Sequence, residues 1–429
     1  MTISRRRLFG YSTGIAAAAT LAACGSNQGG LGASSNPATS ATGGTGAKPA
    51  LAQWYHEYGE AGVQEAVKRY ASEYKDADVA VKWNPGDYDK LVPAALLTDS
   101  FPDVFEFANG PTLDMIKAGQ VADLTDLLGD AKGDFNPNVM KRLTFKDKVW
   151  AIPQTVDMQL LYYRPSLLKK AGLQPPKTFA ELADAAKALK TNDMGGFFAG
   201  NDGGVGVLGT MFIWASGHEQ LNEARSEAAF LTPEFYNALV AYRDLVKSGA
   251  VLEAASNDWF APNAIAQGEA AMQWGGLWSM PEIKQALGDD FGVLPFPAIG
   301  SSGRQAVPFG AFSACVAAKG KNVDAAKNFV KWLWIDNEDA QVDFSNSYGT
   351  HIPAKPKLVS KADKLASGPG ADAAKYVEES GFTNDIMWTG PLGDAFSAAV
   401  TNVIKKNADP ATEFKAVGER AAAELKRVG

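Results

Sequence analysis

Cysteine and histidine are scarce. Two cysteines, Cys24 and Cys315, and three histidines, His56, His218 and His351, are scattered over 429 residues. With Cys24 inside an N-terminal export segment, no disulfide framework or cysteine zinc site can be assembled. The histidines form neither a His-Glu-x-x-His helix nor any other metal-ligand spacing, which argues against a zinc enzyme and leaves no expected metal or cofactor. A long basic run is also missing. Lys and Arg number 41 against 48 Asp and Glu, a net charge of −7. Beyond residue 23 the counts are 38 and 48, or −10. Such a body cannot easily neutralise a phosphate backbone, so no nucleic-acid partner is expected. Long apolar runs are absent too: the stretch from Leu8 to Cys24 is 17 residues and is diluted by Gly10, Ser12, Thr13 and Gly14, short for a spanning helix. No repeat recurs at a period of about 20–50 residues.

What is present begins with an address. Ser4-Arg5-Arg6-Arg7-Leu8-Phe9 is a twin-arginine n-region, in which Arg5 and Arg6 form the export signal. Leu21-Ala22-Ala23-Cys24-Gly25 resembles a bacterial lipobox. Residues 1–23 are therefore expected to be a signal peptide and Cys24 the lipidated N-terminus; a general secretory route and an uncleaved anchor are the alternatives. Residues 24–50 are almost all Gly, Ser, Ala, Thr, Asn and Pro. They cannot bury enough apolar surface to offset ordering entropy, and they read as a flexible linker with a reach of roughly 25–30 Å. The expected location is extracytoplasmic, at the cell membrane. The remaining body of about 380 residues has room for two or three domains. At 46% hydrophobic and 21% charged residues, the chain can build sizeable cores.

Within that body, Ala50–Tyr55 reads as a first strand, followed by Val63, Val67, Tyr70 and Tyr74 at helical spacing. Val79, Val81 and Trp83 alternate as in a half-buried strand, and Phe101–Phe107 runs from a turn into a third. Thr178-Phe179-Ala180-Glu181 is a capping box, and Thr232-Pro233 opens another helix, with Phe235, Leu239, Tyr242 and Val246 on one face. Further helices are expected at 326–334, 392–405 and 411–427, and buried strands at 292–296 and 312–317, the latter with Cys315 as a small core residue. Strands alternating with helices imply an α/β fold with parallel pairing.

Two enzyme patterns match by letter. Gly10-Tyr11-Ser12-Thr13-Gly14 fits G-x-S-x-G but lies inside the signal segment. Gly204-Val205-Gly206-Val207-Leu208-Gly209 fits G-x-G-x-x-G but is far from the first strand of the body, and reads as a flexible loop. Paired carboxylates are harder to dismiss. Glu57, Asp157 and Asp258 could meet in a cleft, so an exported glycosidase stands as the rival class.

Seven segments, in order, carry a resemblance: Trp54–Gly59, Pro102–Phe105, Pro153–Leu173, Pro175–Phe179 with Glu181 and Leu182, Gln267–Met272, Gly292–Pro295 and Ala325–Leu333. The body resembles the extracellular solute-binding proteins of ABC sugar importers, the group of maltose- and multiple-sugar-binding proteins. The resemblance implies a two-lobed, periplasmic-binding-protein-like α/β fold with three crossovers and a central cleft that closes about a hinge. It implies a first lobe of residues 50–155 and 300–350 and a second of 156–299 and 351–429. It also implies a monomer that carries a di- or oligosaccharide to ABC permease subunits without catalysis. Glycerol-phosphate or another small polar solute is the alternative ligand, and a purely structural surface lipoprotein the third option.

Sugars present hydroxyl edges and apolar C–H faces, so planar aromatics and Asp, Glu, Asn or Gln are the residue types to seek. Candidates after strands are Tyr55, Glu57 and Tyr58, then Glu106 and Asn109. Trp214 follows the glycine-rich segment, and Trp274 and Trp278 follow Ala271-Met272. The resemblance adds Asp157 at the first crossover, where relatives usually have glutamate. It also gives Trp278 a stacking role and sets Trp388 in the region lining the cleft. Ser397 stands where the maltose-type pattern has a second tryptophan, which points away from maltose itself. Trp332 and Trp334 read as packing residues, and His351, near the third crossover, as a structural histidine; Trp150 has no assigned role.

Overall fold

The computed structural model describes residues 48–429; Arg5, Arg6, Cys24 and nearly all of the linker lie outside the described residues. Thirteen strands occur in chain order. They are β1 (Ala50–His56), β2 (Asp78–Asn84), β3 (Val104–Ala108), β4 (Thr144–Phe145), β5 (Lys148–Val149), β6 (Ile152–Tyr163) and β7 (Gly195–Phe198), then β8 (Val251–Leu252), β9 (Ala270–Gly276), β10 (Gly292–Leu294), β11 (Val307–Val316), β12 (Ile352–Pro353) and β13 (Gly381–Phe382). Eleven form one sheet with the path β2-β1-β3-β11-β6-β9-β7-β8, joined at its flanks by β10, β12 and β13; β4 and β5 form a separate hairpin.

The pairing is mixed rather than parallel throughout. At one end β1 pairs parallel with β2 and β3, and at the other β7 pairs parallel with β8 and β9. Between these ends, β11 runs antiparallel to both β3 and β6, and β6 antiparallel to β9. Strand–helix alternation forecasts parallel units but not the long strands that cross from one unit to the next. The twelve-residue β6 is the main such strand: Ile152–Met158 pairs with β11, and Gln159–Tyr163 with β9.

Period-two alternation sets the cores. In β1 and β3, Leu51, Tyr55 and Val104 face one cluster, together with Val67, Phe329 and Trp334. Trp54, Phe105 and Phe107 face the opposite cluster, which continues under the rest of the sheet to the C-terminal helices. Those helices, Gly390–Lys406 and Pro410–Val428, bury Phe396, Val400, Phe414 and Leu425. The capping box at Thr178–Glu181 is formed, and the Thr232 hydroxyl caps its helix, Pro233–Lys247. Cys315 is a fully buried core residue.

The Gly204–Gly209 segment departs from its expected loop. Gly203 and Gly204 take left-handed φ values of 73° and 83°, a turn that favours glycine, and the chain then enters the helix Val205–Ala215. Val205, Leu208, Met211, Phe212, Ile213 and Trp214 are all buried, so the helix lacks the polar face that would have made it legible as one. Among the described residues no helix is long and apolar enough to cross a membrane.

Candidate functional site

The sheet changes character in the middle of β6. Met158 is opposite Phe309 of β11, while the next residue, Gln159, is opposite Gly276 of β9. Where a strand exchanges one neighbour for another, the flanking loops separate and leave a crevice, the usual ligand position in open α/β sheets. Two adjoining cavities occupy that place, of about 400 Å³ and about 470 Å³, and Asp157, Trp278 and Phe312 line both.

The first cavity is walled by aromatic planes. Trp214 and Phe382 stack at 5.6 Å with an interplanar angle of 18°, and the Arg304 guanidinium lies 4.3 Å from the centre of the Phe382 ring. Trp259 and Trp278 meet edge to face at 6.0 Å. Polar groups come between them: Asn109 from the end of β3, Asp157 and Gln159 from β6, Thr210 from the Val205–Ala215 helix, and Asn384 after β13. Asn109 is held in the left-handed region at φ 60°, its amide N–H donating to the Ala311 carbonyl at 2.8 Å. Its side chain reaches over Gly310, where a Cβ would fall 1.6 Å from Asn109 Oδ1. Gln159 Oε1 accepts from Trp274 Nε1 at 2.9 Å. The amide is thereby oriented by an indole behind it.

The second cavity is lined by His56–Glu60 after β1, the Phe260–Asn263 turn, Trp278 and His351. His351 stands between two carboxylates, Nε2 3.1 Å from Glu60 Oε1 and Nδ1 in a short contact with Asp157 Oδ1. Burial alone would favour the neutral imidazole, but the carboxylates of Asp157 and Glu60 prevail and raise its pKa to about 10. For Glu60, burial acts upward and the His351 cation more strongly downward, leaving it below the usual carboxylate range. His56 repeats the pattern nearby. Burial opposes its protonation, yet its pKa is raised, mainly by the Glu106 carboxylate, whose Oε1 lies 2.5 Å from His56 Nδ1.

The candidates named from sequence fall into distinct places. Asn109, Asp157, Trp214 and Trp278 line the first cavity, and Glu57, Tyr58, Asp157 and Trp278 the second. Tyr55 is fully buried in the core beneath the sheet, its hydroxyl accepting from Gln53 Nε2 at 2.9 Å. Glu106 is buried behind the cavity wall, where its carboxylate accepts from the His56 amide at 2.8 Å and the Tyr58 hydroxyl at 2.7 Å. Trp274 is buried and touches the site through Gln159. Trp388 lines neither cavity and packs on Phe230 and Phe396. Exposed Ser397 lies outside both cavities as well.

Sequence reasoning missed Gln159, Thr210, Trp259, Phe309, Phe312, Phe382 and Asn384, and underrated His351. Trp259 and Phe260 carried a usable signal: two adjacent aromatics in a polar loop, with Phe260 56% exposed. Phe382 carried none, since nothing local distinguishes it from a core phenylalanine.

A two-lobed α/β protein with its cleft at the crossover strands is the architecture of a binding protein. Residues 55–333 match the family described as bacterial extracellular solute-binding protein, and the chain belongs to that family, one of solute-binding proteins rather than enzymes. The diacetylchitobiose binding protein DasA of Streptomyces coelicolor is 26% identical over 314 residues, covering 71% of this chain and 72% of that protein. The maltodextrin-binding protein MdxE of Bacillus subtilis is 27% identical over 327 residues, 67% of this chain and 74% of that one. An ABC substrate-binding protein of Listeria monocytogenes, solved in complex with cycloalternan, superposes with a TM-score of 0.74 at 19% identity, over 88% of this chain and 99% of that one.

Proposed function

We propose that this protein captures a neutral di- or oligosaccharide in its cleft and delivers it to the permease of an ABC importer. The observation that carries this reading is the pairing of the Trp214–Phe382 stack, Trp259 and Trp278 with Asn109, Asp157, Gln159 and Asn384 around two joined cavities. Aromatic faces suit sugar C–H surfaces, and amide and carboxylate groups suit hydroxyl pairs. Each cavity lies within the roughly 300–1,000 Å³ of small-molecule sites, and their continuity suits a ligand of more than one ring. The sugar-binding names of the relatives support the same ligand class.

Titration of a saccharide panel, with glycerol 3-phosphate included, should quench or shift tryptophan fluorescence saturably for at least one di- or oligosaccharide. The same sugars should be recovered unhydrolysed. Silence across all sugars would sink the reading, and a response to glycerol 3-phosphate alone would replace it with the small-solute alternative.

The lobes of this reading are residues 50–155 with 300–350 and 156–299 with 351–429, hinged at β6, β11 and the stretch around β12. Cys24 carries the lipid that holds the protein outside the cell membrane, after a signal peptide with its twin arginines at Arg5 and Arg6, and the working form is a monomer. Changing Cys24 to alanine should release the protein from membrane fractions into the medium. Retention in the membrane would mean that the Ala-rich segment is itself the anchor.

A further inference from the structure

Behind the Phe382–Asn384 wall of the cleft is another cavity, of about 670 Å³. The helix Pro137–Leu143 bounds it on one side, through Asn138, Lys141 and Arg142, and residues 219–225 and 381–386 on the other. Phe382 and Asn384 line both this cavity and the first solute cavity, so one layer of side chains separates the two. That layer is pinned: Gln220 Nε2 donates to Asn384 Oδ1 at 2.7 Å, and the Asp385 amide donates to Gln220 Oε1 at 3.0 Å.

The charges around this cavity do not all cancel in pairs. Arg225 pairs with Asp385 at 2.9 Å, and Glu219 with Arg304 at 2.6 Å. Lys141 and Glu223 are exposed to solvent. Arg142 differs from both, because its Nε and Nη1 are buried and have no acceptor among the described residues. A guanidinium offers planar, paired donors that match a carboxylate or phosphate. Leaving donors of a buried cation unmatched is unfavourable, and such groups are rare in native proteins. Burial lowers the Arg142 pKa to about 10, against the opposing pull of the Asp385 carboxylate, so the cation lacks a close counter-charge.

We propose that this cavity is a second binding site, which takes a single oxyanion, carboxylate or phosphate, on the unmatched donors of Arg142. Lys141 adds positive charge at its rim, and Asn222 and Asn384 offer side-chain amides along its wall. The oxyanion has two possible sources. It is a free anion, or it is the acidic substituent of a saccharide whose neutral part lies in the cleft; the second source rests on the saccharide reading above.

The test uses inorganic phosphate as the probe, titrated calorimetrically into the full-length protein at low salt. Saturable binding is expected in the native protein, weakened by about tenfold or more in Arg142→Met. Asn138 lies one helical turn before Arg142, so Asn138→Glu sets a carboxylate at the i, i+4 position. This variant should expel phosphate and raise the melting temperature, which keeps the test decisive even if Arg142→Met folds poorly. Neutral saccharides should bind all three proteins alike, so failure of the saccharide reading shows in that arm alone. A uronate-bearing counterpart that outcompetes the neutral sugar in the native protein but not in Arg142→Met assigns the oxyanion to the solute. Equal binding of the two sugars, with phosphate still bound, assigns it to a free ion. No phosphate binding in the native protein, or binding unchanged in both variants, overturns the proposal.

Discussion

Replacing Trp278 by alanine should weaken solute binding by roughly tenfold to over a hundredfold while leaving the melting temperature nearly unchanged. The indole lines both halves of the cleft and is only half-buried. One edge is fixed by the Nε1–H donating to the Phe260 carbonyl at 2.9 Å, and the ring meets Trp259 edge to face. Such a ring is oriented before the ligand arrives, so a sugar stacking on it need not order it. The apolar area and ring contact are together on the order of 1–3 kcal/mol, which sets the expected loss of affinity. A core tryptophan would behave in the opposite way, costing about 3–5 kcal/mol of stability and leaving affinity intact in the surviving folded fraction. Measuring the melting temperature and the dissociation constant of the one variant separates the two. Intact affinity with a collapsed melting temperature would remove Trp278 from the site.

The second large effect is expected at His351. Changing it to glutamine removes the cation between Glu60 and Asp157 and leaves two poorly exposed carboxylates facing each other, a loss of about 3–5 kcal/mol of folding stability near neutral pH. The pH dependence follows from the raised pKa. His351 titrates at about 10 in the folded protein against about 6.5 when unfolded, so its stabilisation is present in full below about pH 6.5. It is lost progressively as pH rises toward 10. Chemical denaturation of the native protein and His351→Gln should therefore differ most at pH 6 and converge by pH 10. A gap that stays constant across that range would mean that the histidine acts by packing and not by charge. Solute affinity should fall as well, because Asp157 loses the partner that orients it in both cavities.

Much of the scaffold was legible because its causes are local. The Thr178–Glu181 capping box and the Thr232 cap are decided within four residues, and both helices start where those residues place them. The alternation of Val79, Val81 and Trp83 marks β2 for the same reason. The helix Val205–Ala215 was illegible because it is buried on nearly every side, which erases periodicity, and its two left-handed glycines imitate a loop. The mixed sheet was illegible because a strand's direction depends on where the chain returns.

Candidate site residues divided along the same line. The residue types were readable, since aromatic and amide-rich segments after strands are where a sugar cleft must draw its groups. Their roles were not. Tyr55 and Tyr58 are three residues apart, yet one is buried against Gln53 and Gln154 and the other lines a cavity with its hydroxyl on Glu106, 48 positions away. Trp274 and Trp278 separate similarly, one behind Gln159 and the other facing the cleft.

From its sequence alone, this protein's α/β class, its net-acidic charge, the positions of most helices and strands, and the pool of residues able to meet a polar solute were determined. These depend on composition and on neighbours within a few positions. Which members of that pool face the cleft, the setting of His351 between Glu60 and Asp157, and the unmatched donors of Arg142 were decided by the tertiary structure. The His351–Asp157 contact spans 194 positions and the Trp274–Gln159 bond 115. A buried polar group is defined by the partner that satisfies it, and at those separations only the closed fold supplies that partner.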